Sequence, residues 1–420
     1  MTDRPWLALQ ADARAIPLAS SSVDAIVTDP PYGLAFMGRA WDHAVPGPEY
    51  WREALRVARP GAHLLAFGGS RTWHRLAAAV EDAGWKIRDS LMWLYGSGLP
   101  KSHGLGRAVD HELGEGGSEW EGFGTALKPG WEPVLLAMKP VDGTFAQNAI
   151  EHGVAGLNID GCRIGTSGGG THRNNRDENG KCLGHDNAGL STSGQTVHGP
   201  NTGGGRWPAN VVLSHTRWCA VDEEAETADC PPCCPVRQLD EASGVVGGGF
   251  GVRGGGGAVY GGGEGYAGTL SETGQRVGYG DEGGASRFFY CPKAARPERE
   301  AGLEGLQRRR TRFHAGQFAA LDGRADRVRR NHHPTVKPLD LMRWLVRLVS
   351  RPGHLVLDLF MGSGSTGCAA LLEDRRFVGL DLEPEYAELA EARLRYWLPK
   401  QRDLFGRENG PEVHVGGGRA

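Results

Sequence analysis

The chain has 420 residues and a formal net charge of −3, so it can bury a large core, and its length predicts two or three domains. The charge gives no global sign of a nucleic-acid binder, although a local basic segment can still contact phosphates. Membrane spans need about 20 apolar residues in a row, and no such run or signal-peptide pattern occurs, so we expect a cytoplasmic protein with reduced cysteines.

The first 140 residues alternate strand and helix patterns. Apolar runs predict strands at residues 23–28, 62–67, 87–95 and 132–137. Helical spacing of apolar residues predicts helices at residues 49–58 and 71–83. Strands and helices in alternation favour a parallel sheet that is covered by helices.

From residue 141 to residue 286 this alternation disappears. Glycine, asparagine, threonine and charged residues dominate, and glycine is concentrated between residues 244 and 284. Such a stretch cannot bury much core, so we interpret it as an inserted recognition domain, a partly disordered loop, or both.

Regular patterns resume near residue 287. They predict helices at 338–350, 366–373 and 384–396 and strands at 355–359 and 376–380. We therefore predict an α/β fold in which residues 1–140 and 287–400 form the two halves of one sheet domain. Residues 141–286 are its insertion, and 401–420 are a flexible tail.

The strand at 355–359 enters a glycine-rich turn. This turn reads Asp358-Leu359-Phe360-Met361-Gly362-Ser363-Gly364, and Asp381 ends the next strand. Glycines permit a tight turn and a close ligand, and an acid about 20 residues beyond such a turn is placed to hold ribose hydroxyls. The acid at Asp358 would repel a pyrophosphate, which disfavours an NAD-dependent oxidoreductase. It suits a cofactor with a cationic amino group, such as S-adenosylmethionine; the alternative is an ordinary turn that uses glycine for its geometry.

The strand at 23–28 enters a second special turn, Asp29-Pro30-Pro31-Tyr32. Its two prolines fix φ and remove two backbone donors, which leaves a rigid turn rich in hydrogen-bond acceptors. Tyr32 adds a flat face. Such a site suits an exocyclic amine on a planar ring, because the amine hydrogens can be accepted while the ring stacks. A plain Asp-Pro turn is the alternative.

Together these turns resemble those of DNA amino-methyltransferases, which act on adenine N6 or cytosine N4. The stretch His333-Pro334-Thr335-Val336-Lys337-Pro338 agrees with that resemblance. The order of the motifs resembles the β group, whose Rossmann-like, S-adenosylmethionine-dependent sheet is circularly permuted. Residues 124–129 and 286–290 are similar to phage and prophage members. The resemblance covers roughly residues 20–140 and 287–400.

The resemblance implies roles for the residues of both turns. Asp29 and the Pro30 carbonyl, in the turn stiffened by Pro31, would accept from the target amine, and Tyr32 would stack on the base. The S-adenosylmethionine pocket would be formed by Asp358, Phe360, Gly362, Gly364 and Asp381, with Lys337 and Pro338 beside the methionine moiety.

The resemblance also implies double-stranded DNA as partner, no membrane, and a bacterial or phage-infected cell. Cytosine members of the family more often carry serine where this chain has Asp29, so adenine N6 is favoured. The alternatives are cytosine N4, an RNA base, or a non-catalytic DNA-binding protein of the same fold. The sequence leaves open whether the chain forms a homodimer and whether a cognate restriction endonuclease accompanies it.

Soft metal ligands cluster in the inserted region. They are His215, Cys219, Cys230, Cys233 and Cys234. A structural zinc needs four ligands, and Cys230 and Cys233 have the spacing of a zinc knuckle. The sequence therefore predicts a structural zinc site; the alternative is a loop with reduced cysteines.

A second local signal is basic. Residues 308–333 contain eight arginines against two aspartates. This excess predicts contacts with phosphates, and a solvated surface loop is the alternative.

Overall fold

The structure is a computed structural model of the chain. It describes residues 4–34, 42–95, 102–164, 206–215, 219–221, 228–230, 232, 234–247, 251–253, 275–277, 282–283, 285–289, 299–312, 326–333 and 335–398. Across these ranges, no helix is both long enough and apolar enough to cross a bilayer.

The strands and helices of the described residues are as follows. The strands are Trp6–Gln10 (β1), Val23–Thr28 (β2), Ala58–Phe67 (β3), Lys86–Leu94 (β4), Trp131–Met138 (β5), Val211–Leu213 (β6), Ala220–Val221 (β7), Ala228–Asp229 (β8), Val246–Gly247 (β9), Gly251–Arg253 (β10), Gln275–Val277 (β11), Glu282–Gly283 (β12), Arg309–Arg312 (β13), Asp326–Arg329 (β14), Leu355–Asp358 (β15) and Arg376–Asp381 (β16). The helices are Pro48–Val57 (α1), Trp73–Asp82 (α2), Leu105–Leu113 (α3), Phe145–His152 (α4), Pro235–Ser243 (α5), Leu339–Val349 (α6), Ser365–Leu372 (α7) and Pro384–Trp397 (α8).

One eight-stranded sheet organises the molecule, in the order β1-β16-β15-β2-β3-β5-β4-β6. Neighbours from β1 to β3 are parallel, β5 is antiparallel to both β3 and β4, and β6 is parallel to β4. The sheet combines strands from both ends of the chain, and this confirms the predicted Rossmann-like α/β fold.

Helices cover both faces of this sheet. The alternation of side chains along β2 and β3 divides the apolar residues between the faces, since Val27 and Phe67 point one way while Ile26 and Leu64 point the other. The face of Val27 packs against α6 and α7, and the opposite face packs against α1 and α2. Both faces are buried, which explains why the parallel strands are almost continuously apolar.

The pairing of β2 with β15 joins the two ends of the chain. Ala25 lies opposite Val356, and the buried Asp24 carboxylate accepts a hydrogen bond from the Leu355 amide at 2.7 Å. From this pair the chain leaves in opposite directions, through α7 toward β16 and through α1 toward β3. The carboxyl ends of β2 and β15 therefore flank a topological switch point, where ligands bind in open α/β sheets.

The structure differs from the predicted sheet in three places. β1 and β6, at the two edges, were not predicted, and β5 is antiparallel where a parallel sheet was expected. The apolar pattern of a buried strand does not encode its direction, because both faces are covered either way. The predicted strand at 62–67 begins earlier, at Ala58, so Pro60 and Gly61 lie within β3, and the helix predicted at 49–58 ends at Val57.

Part of the predicted insertion packs on the sheet domain. The Asn148 side chain donates to the carbonyls of Pro60 and Val154, and the Asn158 amide donates to the carbonyl of Leu348 in α6. β6 belongs to the main sheet. The described residues between 145 and 164 and those of β6 thus extend the sheet domain, while the division of the chain into domains stays a prediction.

A core substitution tests the role of α6. Leu345 is fully buried between α6 and the sheet, so Leu345→Ala should lower the free energy of unfolding by about 2–5 kcal/mol through lost burial and a residual cavity. Urea unfolding followed by circular dichroism measures this difference. Leu113→Ala is the matched control, because Leu113 is 74% exposed at the end of α3. Equal losses in the two variants would contradict the packing of α6 described above.

Candidate active site

Both special turns open into one cleft of about 3190 Å³ at the carboxyl ends of β2 and β15. The cleft is lined by many of the residues singled out in the sequence, namely Asp29, Pro30, Pro31, Tyr32, Lys337, Asp358, Phe360, Gly362 and Asp381. The structure therefore brings together residues that lie more than 300 positions apart in the chain.

The backbone of Tyr32 is fixed from two sides. The buried Asp42 carboxylate accepts hydrogen bonds from the amides of Tyr32 and Gly33, at 2.6 and 2.9 Å. The Thr72 hydroxyl donates to the Tyr32 carbonyl at 2.7 Å. Gly33 has a φ of +67°, a left-handed conformation that favours glycine. These contacts hold the end of the Asp-Pro-Pro-Tyr turn in one conformation.

A buried ammonium group joins the residues of this turn. Lys337 Nζ lies 3.0 Å from Asp29 Oδ1 and 3.1 Å from Glu132 Oε2, and it donates to Tyr32 Oη at 3.0 Å. Its three protons thus have three acceptors. The rings of Phe67 and Tyr32 also lie near the ammonium, with centroids 4.8 and 5.3 Å from Nζ, so cation–π attraction adds to the two ion pairs.

The side chain of Tyr32 is held by the same group of residues. Its hydroxyl lies 2.9 Å from Asp29 Oδ1 and 2.8 Å from Glu132 Oε2. A phenol has one proton, so it donates to one carboxylate at a time while it accepts from Lys337. The plane of the ring is fixed as a result.

Burial and charge act in opposition in this cluster. Burial raises the pKa of Asp29, and the Lys337 ammonium opposes that rise while the Glu132 carboxylate adds to it. For Lys337, burial lowers the pKa, but Asp29 and Glu132 outweigh it and the net shift is upward. Burial and the two carboxylates raise the pKa of Tyr32 well above its ordinary value. Lys337 is therefore charged and Tyr32 neutral near pH 7.

Lys337 was predicted beside the methionine moiety of a cofactor. The structure places its ammonium in the Asp29 cluster, beside two carboxylates, and its position relative to a cofactor stays a prediction. Pro338 precedes the first residue of α6 and is not among the described residues that line the cleft.

Asp358 is almost completely buried at the end of β15. Its Oδ1 accepts from the Thr28 hydroxyl at 2.7 Å and from the Phe360 amide at 3.1 Å. Burial raises the pKa of this carboxyl to about 6, and hydrogen bonds from Thr366 and Thr28 oppose the rise. Asp358 thus links β2 to the glycine turn and also lines the cleft.

Asp381 braces the glycine turn from the end of β16. One carboxylate oxygen accepts from the Gly362 amide at 2.8 Å, and the other accepts from the Glu383 amide at 2.9 Å. Burial raises its pKa. Asp381 also lines the cleft, and a carboxylate has about four lone-pair sites, which is compatible with the ribose contact implied by the resemblance.

The two glycines of the turn have different surroundings. A Cβ on Gly362 would lie 2.6 Å from Nε2 of His333, so the imidazole covers this part of the turn. Gly364 has a φ of +74° at the start of α7, and a Cβ there would meet Ala390 of α8 at 3.0 Å. Gly364 is not among the described lining residues; it shapes the turn and permits α7 and α8 to approach.

The predicted metal ligands lie away from the cleft. Ligand atoms of His215, Cys219, Cys230 and Cys234 all lie within 4.8 Å of one another, while Cys233 lies outside the described residues. Most of the glycine tract at 244–284 also lies outside them. In the arginine-rich segment, Arg309 forms an ion pair with Glu385 of α8. The side chains of several other arginines of this segment are not among those that the structure describes.

Sequence reasoning missed Glu132, Asp42 and Thr28. Glu132 carried a weak signal, since it is an acid near the beginning of the predicted strand at 132–137. Asp42 and Thr28 gave none, because their importance depends on partners that only the folded chain brings close.

Comparisons with known proteins match the part of the chain that contributes the glycine turn to this cleft. Residues 290–392 match the profile of the N6/N4 DNA methylase family. Type II methyltransferase M.Cfr9I of Citrobacter freundii is 33% identical over 113 residues, which are 26% of this chain and 33% of that protein. DNA adenine methyltransferase YhdJ of Escherichia coli (strain K12) is 40% identical over 63 residues, which are 15% of this chain and 21% of that protein. The chain thus spans a third or less of the length of these curated relatives.

Among solved structures, PvuII DNA methyltransferase (cytosine-N4-specific) aligns with 93% of this chain and 88% of its own. Its identity of 12% and TM-score of 0.39 are too low to carry an argument. The sequence matches confirm the resemblance to N6/N4 DNA methyltransferases that the two turns indicated. The likeness to phage members and the permuted order stay predictions. The segment that matches the DNA methylase family is therefore the one that supplies Lys337, Asp358 and Asp381 to the cleft.

Proposed function

We propose that the chain is an S-adenosylmethionine-dependent DNA methyltransferase that methylates the exocyclic N6 amine of adenine in double-stranded DNA. The observation that carries this proposal is the adjacency of the two turns, since the Asp29 turn and the Asp358 turn line one cleft at the ends of paired strands. Transfer of a group between two bound molecules requires that both lie in one pocket.

The glycine-turn side of the cleft fits S-adenosylmethionine. The Asp381 carboxylate can accept from ribose hydroxyls, the Phe360 ring offers an apolar surface beside Tyr50, and Asp358 supplies negative charge for a cationic amino group. When bound, this cofactor supplies an electrophilic methyl group on a sulfonium sulfur. The acids disfavour a cofactor with a pyrophosphate, which they would repel.

The Asp29 side of the cleft suits the methyl acceptor. Within the described part of the chain, the contacts of the Asp29 carboxylate with Tyr32 and Lys337 use Oδ1, so we assign Oδ2 to the target amine. A hydrogen bond from the amine to a carboxylate, fixed in advance, increases electron density on nitrogen as it attacks. We also assign to Asp29 the acceptance of the proton that the amine loses after methyl transfer.

Lys337 and Tyr32 prepare this carboxylate and its base. Lys337 stabilises the ionised form of Asp29 inside a buried cluster. The Tyr32 ring is held in one plane by its hydroxyl contacts, and a fixed aromatic plane is a stacking surface for a base that has left the helix.

The mouth of the cleft has exposed apolar side chains. Trp120, Phe123 and Leu127 line it and are 44%, 59% and 93% exposed. A target base must leave the duplex at a cost of a few kcal/mol, and apolar side chains inserted between bases stabilise such distortion. We therefore assign the segment at residues 102–130 to contact with DNA.

The proposed function gives three predictions, of which the first concerns Asp29. Asp29→Asn should reduce methyl transfer to unmethylated DNA by about 10²-fold or more, because the amide cannot accept the amine proton, while S-adenosylmethionine binding measured by calorimetry stays unchanged. Asp82→Asn, at an exposed position, is the control and should be fully active. Mass spectrometry of the digested DNA identifies the product nucleoside. N4-methylcytosine would contradict the adenine assignment, and intact DNA binding without transfer by the unsubstituted chain would contradict an enzymatic function.

A second prediction concerns pH. Asp29 acts when ionised, so activity is lost as the pH falls through its pKa, which burial raises. Lys337→Met removes the cation that opposes this rise and should move the acidic limb of the kcat profile upward by about 1–3 units. Glu132→Gln removes a charge that adds to the rise and should move the limb downward.

Lys86→Met is the control for the pH prediction, since it removes the same charge at an exposed position on β4. Its profile should overlay that of the unsubstituted chain. Shifts in the same direction for Lys337→Met and Glu132→Gln would disprove the role of this cluster in setting the ionisation of Asp29.

A third prediction separates ligand contact from turn geometry at Asp381. Asp381→Asn should weaken S-adenosylmethionine binding by roughly 10–100-fold, the usual effect of losing hydrogen bonds to a charged acceptor. Calorimetry measures the dissociation constant, and the exposed Glu388→Gln on α8 should match the unsubstituted chain. An unchanged constant for Asp381→Asn would mean that Asp381 only braces Gly362.

A further inference from the structure

The cluster of His215, Cys219, Cys230 and Cys234 lies outside the cleft, and the proposed chemistry makes no use of it. The His215 Nδ1 atom is 3.2 Å from the Cys230 sulfur and 3.5 Å from the Cys234 sulfur. All four ligand atoms lie within 4.8 Å of one another. From these distances we infer that the four side chains bind one structural Zn²⁺ ion.

The distances agree with a tetrahedral zinc site. Zn–S and Zn–N bonds of about 2.3 and 2.0–2.1 Å place the ligand atoms roughly 3.5–3.8 Å apart. Four protein ligands fill such a site, which is typical of structural zinc, whereas catalytic zinc keeps an open position. Three thiolates and one imidazole are also the soft ligands that select zinc over calcium or magnesium.

The local chain favours this ligand set. Cys234 is the N-cap of α5, where the positive end of the helix dipole stabilises a thiolate. The Arg237 side chain donates to the Cys230 carbonyl at 2.6 Å and fixes the backbone that carries this ligand. Cys230 and Cys234 are 9% and 0% exposed, so the ion would be sheltered from water and chelators.

The surroundings of the cluster explain why an ion is needed. Among the described residues, the buried side chains of this cluster are Leu213, Cys230, Cys234 and Val236, with a few partly buried neighbours. A core of this size contributes little stability, and small units of this kind fold on a metal.

The site would join three separate segments. His215 follows edge strand β6, Cys219 directly precedes β7, and Cys230 and Cys234 precede α5. Helix α5 in turn binds the segment at 285–289, since Asp240 accepts from the amide and hydroxyl of Ser286. Zinc would thus fasten the inserted region to the edge of the main sheet.

The end of edge strand β6 is linked to the cleft through Ser214 and Trp93. Ser214, next to His215, accepts a hydrogen bond from Trp93 Nε1 at 2.7 Å, and the Trp93 ring centroid lies 5.9 Å from Lys337 Nζ. The functional consequence of this link rests on the proposed function. Loss of zinc would disturb Trp93 in the wall of the Asp29 pocket and so reduce methyl transfer. The occupancy of the site itself does not depend on that function.

Metal content of the full-length chain tests the inference. Protein expressed with zinc and purified without chelators should contain one zinc per chain by mass spectrometry. Replacement by Co²⁺ should give the intense visible bands of tetrahedral cobalt and the charge-transfer bands of cobalt bound to thiolates. This spectrum reports the ligand number in the intact chain, so it remains decisive where substitutions prevent folding.

Substitutions identify the ligands. His215→Ala, Cys219→Ser, Cys230→Ser and Cys234→Ser should each reduce zinc below about half an equivalent. Cys233→Ser is the matched control, because the neighbouring thiol is not in the inferred set, and it should retain a full equivalent. Less than half an equivalent in the unsubstituted chain, or a disulfide among these cysteines, would overturn the site. Zinc loss in Cys233→Ser equal to that in Cys230→Ser would overturn the ligand set.

Discussion

The pairing of β2 with β15 is the constraint on which the cleft depends. Thr28 at the end of β2 donates to Asp358 at the end of β15 at 2.7 Å, across 330 positions of sequence. The next residue after Thr28 is Asp29, and the residues after Asp358 form the glycine turn. This one strand pair therefore sets the distance between the proposed methyl acceptor and the proposed cofactor. A shift of register by one residue would turn these side chains toward the opposite faces of the sheet.

The short distance between the two turns also determines the electrostatics of the cleft. Several carboxylates lie together at the ends of the strands, namely those of Asp29, Glu132, Asp358 and Asp381. Lys337 places one buried cation among them, in contact with Asp29 and Glu132. A buried ion pair does little for net stability, because desolvation offsets the attraction of the charges. The proposed function gives this desolvation cost a purpose, because it requires the Asp29 carboxylate to be ionised. It also leaves the cleft negative toward a cofactor that carries positive charge.

The sequence predicted what depends on local chemistry. Residue types and spacing located both turns, most of the helices and the inner strands of the sheet. Proline, glycine and apolar runs determine local structure within a few residues, so the sequence shows their effect directly. Long-range partners could not be predicted. The direction of β5, the edge strands β1 and β6, and the contact of Asp42 with Tyr32 depend on which segments meet in the folded chain. The partners of Lys337 in the Asp29 cluster could not be predicted for the same reason.

The inserted region has a different physical basis from the sheet domain. Its sequence is rich in glycine, which increases the conformational entropy lost on folding, and its described residues bury few apolar side chains around the cysteine cluster. Hydrophobic burial alone cannot order such a segment. In the inferred zinc site, four ligands that converge on one ion would replace the missing core with a few strong bonds. These bonds would form beside edge strand β6, which pairs with β4, so the inferred site would fix its described neighbours to the edge of the main sheet.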